Sequence, residues 1–432
     1  MKKDKNINKW LWRWHVIAGL IAMPFVVLLA ITGAIYLFKP QVEAPIIEKH
    51  KQITSNTSVL LSLDAQLQAA HKVFGKPPTS VSISKNNNEA TAFHRGRFSH
   101  KKTAYVNPHT AEVTGTFSPK STWMYKVRKL HGELMMGKVG TLFIELIASW
   151  LVVLIFTGIY VYWPSKNKGL KGFYHIRTQK GKRIFYRDLH SVLGFWISGL
   201  LLLTLAGGLP WTDVFGGNFK KVQQITDTGF SKEWMGIGIT SKVISNNQKE
   251  TNTRKPLEVQ QMYQIAQNQH LKGAITLYLP NNRNKGVFSI ANQCFPLKEQ
   301  QKKYFDAYSG QEIVSLDWQN HVGILLRARM WAMAFHQGQL GTWNLILMFL
   351  VSVLLSVISI AGIISYLKRK KQGAWSIPKT PESFKLELGG LLLVGMLCFV
   401  LPLFGISIAL ICVNNQIYRI IKIRSMNLKG SM

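Results

Sequence analysis

Five long apolar runs constrain the fold of this chain more than any other feature. Each run is close to the ~20 residues that an α-helix needs to cross a bilayer, and charged side chains are rare within it. A single soluble core does not explain so many runs in a chain of 432 residues, 47% of which are hydrophobic. We therefore predict a multi-pass, mainly α-helical membrane protein, with runs at about 11–38, 139–163, 192–211, 344–367 and 388–413.

The first run resembles a signal peptide only in its basic start. Lys2, Lys3 and Lys5 precede it, but its apolar part is too long and no small-x-small cleavage site follows it. We predict an uncleaved first span. The stretches between the first and second runs, and between the third and fourth, are long enough to form two soluble domains.

Basic residues give the predicted orientation. Cytoplasmic loops of membrane proteins are enriched in Lys and Arg, and the loop at 164–189 holds eight of them against one acid, Asp188. The N-terminus and the motif LKRKKQ after the fourth run agree. Both soluble domains are therefore predicted on the outer face, which is the periplasm if the chain lies in a bacterial inner membrane. Because the basic runs flank spans, the net charge of +33 does not indicate a nucleic-acid partner.

The predicted layout follows from the spans and their flanks. In chain order it comprises a cytoplasmic N-terminus with the first span (1–40), a first outer module (41–125), the second span (126–163), a basic cytoplasmic loop (164–189), the third span (190–211), a second outer module (212–330), the fourth span (331–367), a cytoplasmic loop (368–387), and a C-terminal hydrophobic segment with a basic tail (388–432). The last segment has two interpretations. One crossing through Pro402 leaves the tail outside, against the charge rule, whereas a re-entrant hairpin keeps it inside.

The order of span, outer domain and span occurs twice, and individual motifs repeat with it. HVIAG enters a span that ends LLAITGAIYLF, and HSVLG leads to LLTLAGGLPW. The second and fourth spans share a histidine, glycines and Gly-Thr in KLHGELMMGKVGTLFIEL and AFHQGQLGTWNLIL. Each outer stretch has an amphipathic helix followed by alternating strands and a hairpin, which predicts a small α+β module.

One histidine stands at the N-terminal approach to each of the first four spans. Because the spans alternate in direction, His15 and His190 are predicted near the inner face, and His131 and His336 near the outer face. Two neutral imidazoles on facing helices can take both axial positions of one haem iron. The pattern favours two haem sites in a four-helix transmembrane bundle. Taken alone, each histidine is also explained by a position at the membrane interface beside Trp and Arg.

Basic residues and glycines accompany these histidines in the sequence. Arg13 and Arg187 closely precede the inner pair, where guanidinium groups suit haem propionates and lipid headgroups about equally well. Glycines in the spans would let a macrocycle or another helix approach the backbone. The other residues with these roles are Arg128, Lys129, Arg327 and Arg329 before the outer pair, and Gly19, Gly33, Gly194, Gly207 and Gly208 in the spans.

Cysteine usage limits the cofactor chemistry. The chain has three cysteines and contains neither CxxC nor CxxCH. This excludes zinc-thiolate sites, iron–sulfur clusters and covalently attached c-type haem. The other histidines show no comparable pairing. His94, His100 and His109 are predicted on the domain surface, and His321 is the nearest spare ligand.

These features together resemble the PepSY-associated transmembrane family, whose members carry PepSY modules between spans and include bacterial inner-membrane ferric-siderophore reductases. The motifs that carry the resemblance are WRWHVIAGL, LHGELMMGKVGTLFIEL, RDLHSVLGFW and FHQGQLGTWN, with the hairpins YVNPHTAEVTG and YFDAYSGQEIV. The third span departs from the pattern, with Ala-Gly where its sisters have Thr-Gly or a similar pair. The resemblance implies two PepSY-like modules and two b-type haems with His15, His131, His190 and His336 as axial ligands.

The expected activity is that of an oxidoreductase. We expect a di-haem cytochrome b that passes electrons outward to Fe(III) held by a siderophore or another chelator. No side-chain acid or base is needed for this reduction. The chain has no dinucleotide-binding GxGxxG motif, so a cytoplasmic reductase or quinol would be the electron donor. Two alternatives stay open: a haem-free membrane-anchored binding or accessory module in iron uptake, and an electron donor to a periplasmic oxidoreductase.

Overall fold

A computed structural model of the chain describes residues 5–53, 59–84, 88–163, 171–241, 255–280, 286–379 and 387–430. The described part is mainly helical with one antiparallel sheet. Five helices are long and apolar enough to cross a membrane, which agrees with the predicted multi-pass chain. Of the basic residues that gave the orientation, Lys2, Lys3, Lys166 and Lys168 lie outside the described residues.

The chain divides into two compact units. The helical unit comprises Met1–Leu37, Arg128–Lys221 and Ala332–Met432, and the sheet unit comprises Phe38–Val127 and Val222–Trp331. The described helices are α1 (Lys5–Tyr36), α2 (Lys39–Lys51), α3 (Leu63–Phe74), α4 (Trp123–Glu133), α5 (Gly137–Tyr162), α6 (Lys171–Tyr174), α7 (Lys182–Gly208), α8 (Val214–Ile225), α9 (Val259–Gln267), α10 (Trp318–His321), α11 (Ile324–His336), α12 (Thr342–Arg369), α13 (Leu388–Val400) and α14 (Pro402–Gly430).

Four long helices pack around a common centre in the helical unit. Helix α1 lies against α5 and α12, and α7 lies against the same two helices, so α1 and α7 occupy opposite corners of the bundle. Their inward-facing side chains are small or aliphatic. Ala22 and Val26 of α1 pack with Ile147 of α5, while Ile197 of α7 packs with Val351 of α12. Small residues on α1 let the backbones approach closely, as is common between membrane helices.

A buried carboxylate organises one side of this unit. Glu145 on α5 has no exposed surface. Its two carboxylate oxygens accept hydrogen bonds from the backbone N–H groups of Val214 at 2.9 Å and Phe215 at 2.8 Å, which are the first residues of α8. Those N–H groups have no partner within their own helix. Glu145 therefore satisfies the N-terminus of α8 from a different helix.

The C-terminal hydrophobic segment forms two helices and not one straight span. Helix α13 ends at Val400 and α14 begins at Pro402. A Cβ atom on Gly405 would lie 2.8 Å from the carbonyl oxygen of Cys398, seven residues earlier, which a continuous helix does not permit. Trp150 of α5 donates a 3.1 Å hydrogen bond to Ser407. The chain turns sharply at Pro402, and only α14 has the length of a span.

The sheet unit contains one continuous antiparallel sheet of eight strands. The strands are β1 (Ser80–Ser82), β2 (Thr91–Arg95), β3 (Lys102–Val106), β4 (Val113–Phe117), β5 (Ala274–Tyr278), β6 (Val287–Gln293), β7 (Gln301–Asp306) and β8 (Glu312–Asp317), in the order β4-β3-β2-β1-β5-β6-β7-β8. The hairpins predicted from YVNPHTAEVTG and YFDAYSGQEIV are confirmed as β3–β4 and β7–β8. Both hairpins shift register by a residue near the turn, so the duplication extends to local geometry.

The two repeats of the sheet unit join at β1 and β5. Val81 pairs with Leu277 across this junction. One face of the sheet is apolar and is covered by α3 and α9, so that Val81, Phe93, Leu277 and Ile290 share a single core with helix residues. Local capping signals set the helix ends: the Ser62 hydroxyl accepts from the N–H of Ala65, and Glu258 with Gln261 forms a capping box. The two predicted modules are thus halves of one sheet.

Candidate functional site

The inner histidine pair joins two helices from opposite corners of the bundle. His15 lies on α1 and His190 lies on α7. Their imidazole centroids are 6.2 Å apart, and the ring planes are inclined by 73°. The two rings come from different halves of the internal duplication, so the structure brings together residues 175 positions apart in sequence.

The second pair repeats this arrangement. His131 lies near the end of α4, and His336 is the last residue of α11; each stands just before a long helix. The centroids are again 6.2 Å apart, with ring planes inclined by 61°. Each half of the duplication contributes one ring to each pair. The duplication therefore predicts two pairs with the same spacing and a similar inclination, as observed.

The two pairs lie at different heights along the bundle. On α1, His15 belongs to one pair, and the carbonyl of Leu29 contacts His131 of the other pair. On α7, His190 belongs to one pair, and the carbonyl of Thr204 contacts His336 of the other. Both intervals are fourteen residues, which corresponds to roughly 21 Å along an α-helix.

Hydrogen bonds at Nδ1 fix the orientation of all four rings. In three of the rings, Nδ1 donates to a backbone carbonyl that lies four residues before a glycine of a neighbouring helix: Leu29 at 3.1 Å for His131, Ile358 at 2.9 Å for His190 and Thr204 at 2.9 Å for His336. Nδ1 of His15 lies 3.0 Å from the hydroxyl of Thr157, which itself donates to the carbonyl of Val153 and so accepts from the ring. A nitrogen that donates carries the ring proton, so Nε2 retains the lone pair that can bind a metal.

Glycines make these contacts possible. A Cβ atom on Gly158 would lie 3.1 Å from Cε1 of His15, and one on Gly362 would lie 2.9 Å from Nδ1 of His190. A Cβ atom on Gly207 would lie 2.6 Å from Cβ of His336. Of the glycines singled out from sequence, Gly33, Gly207 and Gly208 face a histidine, whereas Gly19 and Gly194 meet Met23 and Ile358. Gly158 and Gly362 occupy matching positions in the second and fourth spans of the duplication, but the sequence did not indicate that they contact histidines.

A cavity of about 680 Å³ surrounds the inner pair. Its walls are mostly apolar, but charged residues gather in part of the lining. Arg177 donates to both oxygens of Asp188, and Arg187 donates to one of them. The guanidinium of Arg369 lies 4.8 Å from the ring centroid of Trp12. The arginines that line the cavity are Arg177, Arg183, Arg187 and Arg369.

The structure separates the two arginines that the sequence placed beside the inner pair. Arg187 lines the cavity. Arg13 donates a 2.6 Å hydrogen bond to the carbonyl of Pro378 and is not among the described lining residues. Arg177, Arg183 and Arg369 were missed as cavity residues, because they lie 13, 7 and 179 residues from His190 and follow no motif.

The remaining basic and histidine residues have local partners. Arg128 and Lys129 each form an ion pair with Glu133, and Arg327 donates to the carbonyl of Gln319. Arg329 is buried. His94 is buried in the sheet, contrary to its predicted surface position. Its ring bonds Ser82 and Thr103, while His109 bonds the Val59 carbonyl and His321 bonds Asp317.

The histidine pairs can each hold a metal ion between them only if other ligands complete its coordination. Across the described parts of the chain, no three or more His, Cys, Asp or Glu side chains are grouped so as to hold a metal ion. A metal held by either pair would therefore need further ligands, such as those of a cofactor.

Comparison with known proteins assigns the chain to a family. No curated protein matches it significantly. The model of the PepSY-associated TM region matches residues 12–369, which include the four histidines and both repeats. Together with the long apolar helices, this match shows that the chain is a multi-pass membrane protein of the PepSY-associated transmembrane family.

Proposed function

We propose that this protein binds two haem b groups non-covalently and conducts electrons across the membrane to Fe(III) chelates on the outer side. His15 and His190 would hold one haem, and His131 and His336 would hold the other. When bound, each haem supplies a one-electron Fe(III)/Fe(II) couple. The chain itself fixes the ligand nitrogens, excludes water and sets the distance between the two sites.

The spacing of the histidine rings carries the proposal. Two imidazoles that bind one iron from opposite faces hold their ring centroids roughly 6 Å apart, and both pairs here are separated by 6.2 Å. In every ring Nδ1 donates to a carbonyl or hydroxyl oxygen, which is the usual support for an imidazole that ligates a metal through Nε2. Membrane histidines that only contact lipid headgroups have no reason to adopt this paired geometry.

The cavity at the inner pair has the composition that haem requires. Its apolar walls suit the macrocycle, and the arginines in its lining suit the propionates, since guanidinium groups pair with carboxylates in a bidentate manner. Its volume of about 680 Å³ is within the ordinary range for cofactor sites. Arg183 and Arg187 are the residues best suited to hold propionates. We do not assign Arg13 to a propionate, because its guanidinium donates to the carbonyl of Pro378.

The height difference between the pairs supports transfer across the bilayer. The separation of roughly 21 Å follows from fourteen residues of helix and is a large part of the ~30 Å hydrocarbon core. One site near each face divides the crossing into shorter steps. With the basic loops in the cytoplasm, the inner pair would receive electrons from quinol or a cytoplasmic reductase, and the outer pair would deliver them.

The proposed reaction is a balanced one-electron reduction. The donor loses one electron, and Fe(III) in the chelate gains it to become Fe(II), with no bond formed to the protein. Chelators built from hard oxygen ligands bind Fe(II) far more weakly than Fe(III), so the iron is released while the chelator stays intact. We propose that the protein lies in the bacterial inner membrane with the sheet unit in the periplasm, where its two PepSY-like halves would meet the chelate.

A pyridine haemochrome assay on purified protein tests the cofactor. We expect two haem b per chain in the wild type and one in His15→Ala and in His131→Ala. His175→Ala is the control, because His175 is exposed and outside both pairs, and it should retain two haems. A wild type without haem would contradict the proposal and favour a haem-free binding module on a membrane anchor.

A second experiment tests the acceptor. Dithionite-reduced protein, freed of reductant, is mixed anaerobically with ferric siderophores, ferric citrate or a soluble oxidoreductase with a disulfide. Re-oxidation of the haem is followed in its visible spectrum, and Fe(II) is captured with a chromogenic chelator. Rapid oxidation by ferric chelates with stoichiometric Fe(II) supports ferric reduction. Oxidation by the protein acceptor alone would favour electron supply to a periplasmic oxidoreductase.

A further inference from the structure

The two halves of the duplication support their histidines differently. We propose that Thr32 and Thr157 are positioning residues that lower the reduction potential of the outer and inner haem, respectively, by accepting a hydrogen bond from one axial histidine of each pair. This inference rests on the proposed haem binding. It assigns a role to two hydroxyl groups that the axial-ligand pattern does not include.

Thr157 contacts the ring nitrogen of His15. Its Oγ1 lies 3.0 Å from Nδ1 of His15. The same hydroxyl lies 2.9 Å from the carbonyl oxygen of Val153 and 3.2 Å from that of Leu154. Carbonyl oxygens only accept, so the single hydroxyl hydrogen is directed to them. The lone pairs of Thr157 are therefore available to His15, and Nδ1 must be the donor.

Thr32 repeats this arrangement at the other pair. Its Oγ1 lies 3.1 Å from Nδ1 of His131 and donates to the carbonyl of Leu28 at 2.7 Å. The residue is only 4% exposed, so water does not compete for these bonds. The N–H of His131 is shared between Thr32 and the carbonyl of Leu29 at 3.1 Å. Both histidines of the first half thus have a threonine hydroxyl as an acceptor at Nδ1.

The second half lacks these hydroxyls. Thr32-Gly33 and Thr157-Gly158 of the first half correspond to Gly207-Gly208 and Ala361-Gly362 of the second half, since Thr32 and Gly207 each lie seventeen residues after the histidine of their own helix. His190 and His336 bond carbonyls, each at 2.9 Å. Since each pair takes one ring from each half, every proposed haem would have one histidine that donates to a threonine hydroxyl and one that does not. The absence of the hydroxyl from the second half is therefore a difference between ligands and not between sites.

The hydroxyls act through the basicity of the ligand. An acceptor at Nδ1–H draws the proton away from the ring and raises electron density at Nε2. A more basic axial nitrogen stabilises Fe(III) over Fe(II), which lowers the reduction potential. The effect is strengthened in a buried site, where hydrogen bonds act in a low dielectric. Threonine in a membrane helix can also serve packing alone, and the test must separate these roles.

Redox potentiometry of the purified full-length protein makes this separation. Thr157→Val keeps the shape and removes the hydroxyl, whereas Thr157→Ser keeps the hydroxyl. We expect Thr157→Val to shift one of two midpoint potentials to a more positive value and Thr157→Ser to retain the wild-type value. Thr32→Val should shift the other potential. Recording the same substitutions in His131→Ala or His15→Ala, which retain one haem each, assigns each potential to its site.

A gain-of-function variant completes the test. Ala361→Thr installs the same hydroxyl beside His190 and should shift the inner potential to a more negative value. If Thr157→Val does not retain its inner haem, the inner midpoint potential of Ala361→Thr still tests the inference. Unchanged potentials in haem-replete Thr157→Val and Ala361→Thr would overturn the inference and leave haem binding intact. Absence of haem from the wild type would instead overturn the proposed function.

Discussion

A Cβ atom on Gly33 would lie 3.2 Å from Cε1 of His131, so this imidazole rests directly on the backbone of α1. His15 packs in the same way on Gly158 of α5. In the second half, His336 packs on Gly207 and His190 packs on Gly362. Within each half, the histidine beside one helix therefore packs on a glycine of the other helix. The two rings that face each other come from different halves. Any haem held by these rings would link the two halves.

Enlarging one of these glycines should remove one haem. Gly158→Val places a branched side chain where the ring of His15 lies and displaces the ring from the Thr157 hydroxyl. We expect one haem per chain in the haemochrome assay. Gly199→Val on α7 is the matched control, because nothing lies within 4 Å of its Cβ position, and it should retain two. Two haems in Gly158→Val would show that this contact is not required.

The arginines around the inner cavity should differ in their effect on haem retention. Arg183 lines the cavity, whereas Arg13 contacts Pro378. We expect Arg183→Gln to speed haem loss to excess apomyoglobin by about tenfold, since one charge-assisted hydrogen bond contributes about 1.5–3 kcal/mol. Arg13→Gln should leave the rate within about twofold. Equal rates for both variants would place the propionates away from Arg183.

Glu145 should stabilise the helical unit. Glu145→Ala leaves the first two N–H groups of α8 without their carboxylate acceptor, and we expect a loss of about 3 kcal/mol in unfolding free energy. Glu145→Gln keeps one acceptor oxygen and should lose about half of that. Denaturant unfolding in detergent micelles measures both. Thr141→Ala, on the same helix, is the control, because the Thr141 hydroxyl bonds only within α5. A loss in Glu145→Ala no larger than the loss in Thr141→Ala would contradict this role for the carboxylate.

The sheet unit should become less stable in acid because of His94. Burial lowers the pKa of His94 to about 3, and Lys101 adds repulsion. Between pH 6.5 and about 3 the unfolded chain therefore binds a proton that the folded chain does not. Stability falls as pH decreases through this window, by at most about 1.4 kcal/mol per pH unit.

Thermal unfolding between pH 6.5 and 4.5 measures this effect. His94→Gln, which cannot titrate, should show a smaller decrease in Tm than the wild type. His71→Gln is the control, since His71 is exposed on α3, and its decrease should match the wild type. Identical pH dependence in all three proteins would assign the acid sensitivity to other groups.

The features that sequence alone determined are those set by neighbouring residues. Apolar runs of span length, the His and Gly motifs of the duplication and the two hairpins are all local, because helix and strand periodicity depends on residues a few positions apart. The four histidines could be found for the same reason. Their assignment to two levels followed from alternating span direction, which needs no knowledge of packing.

Tertiary structure decided everything that depends on how helices rotate and which ones become neighbours. The sequence did not indicate that α1 and α7 stand at opposite corners, that Gly158 and Gly362 carry the rings, or that Arg187 faces the cavity while Arg13 turns to Pro378. Nor did the sequence indicate that β1 joins β5, and it left the turn at Pro402 as one of two interpretations. These contacts link residues far apart in the chain, and their choice depends on the fit of whole surfaces, which no local pattern encodes.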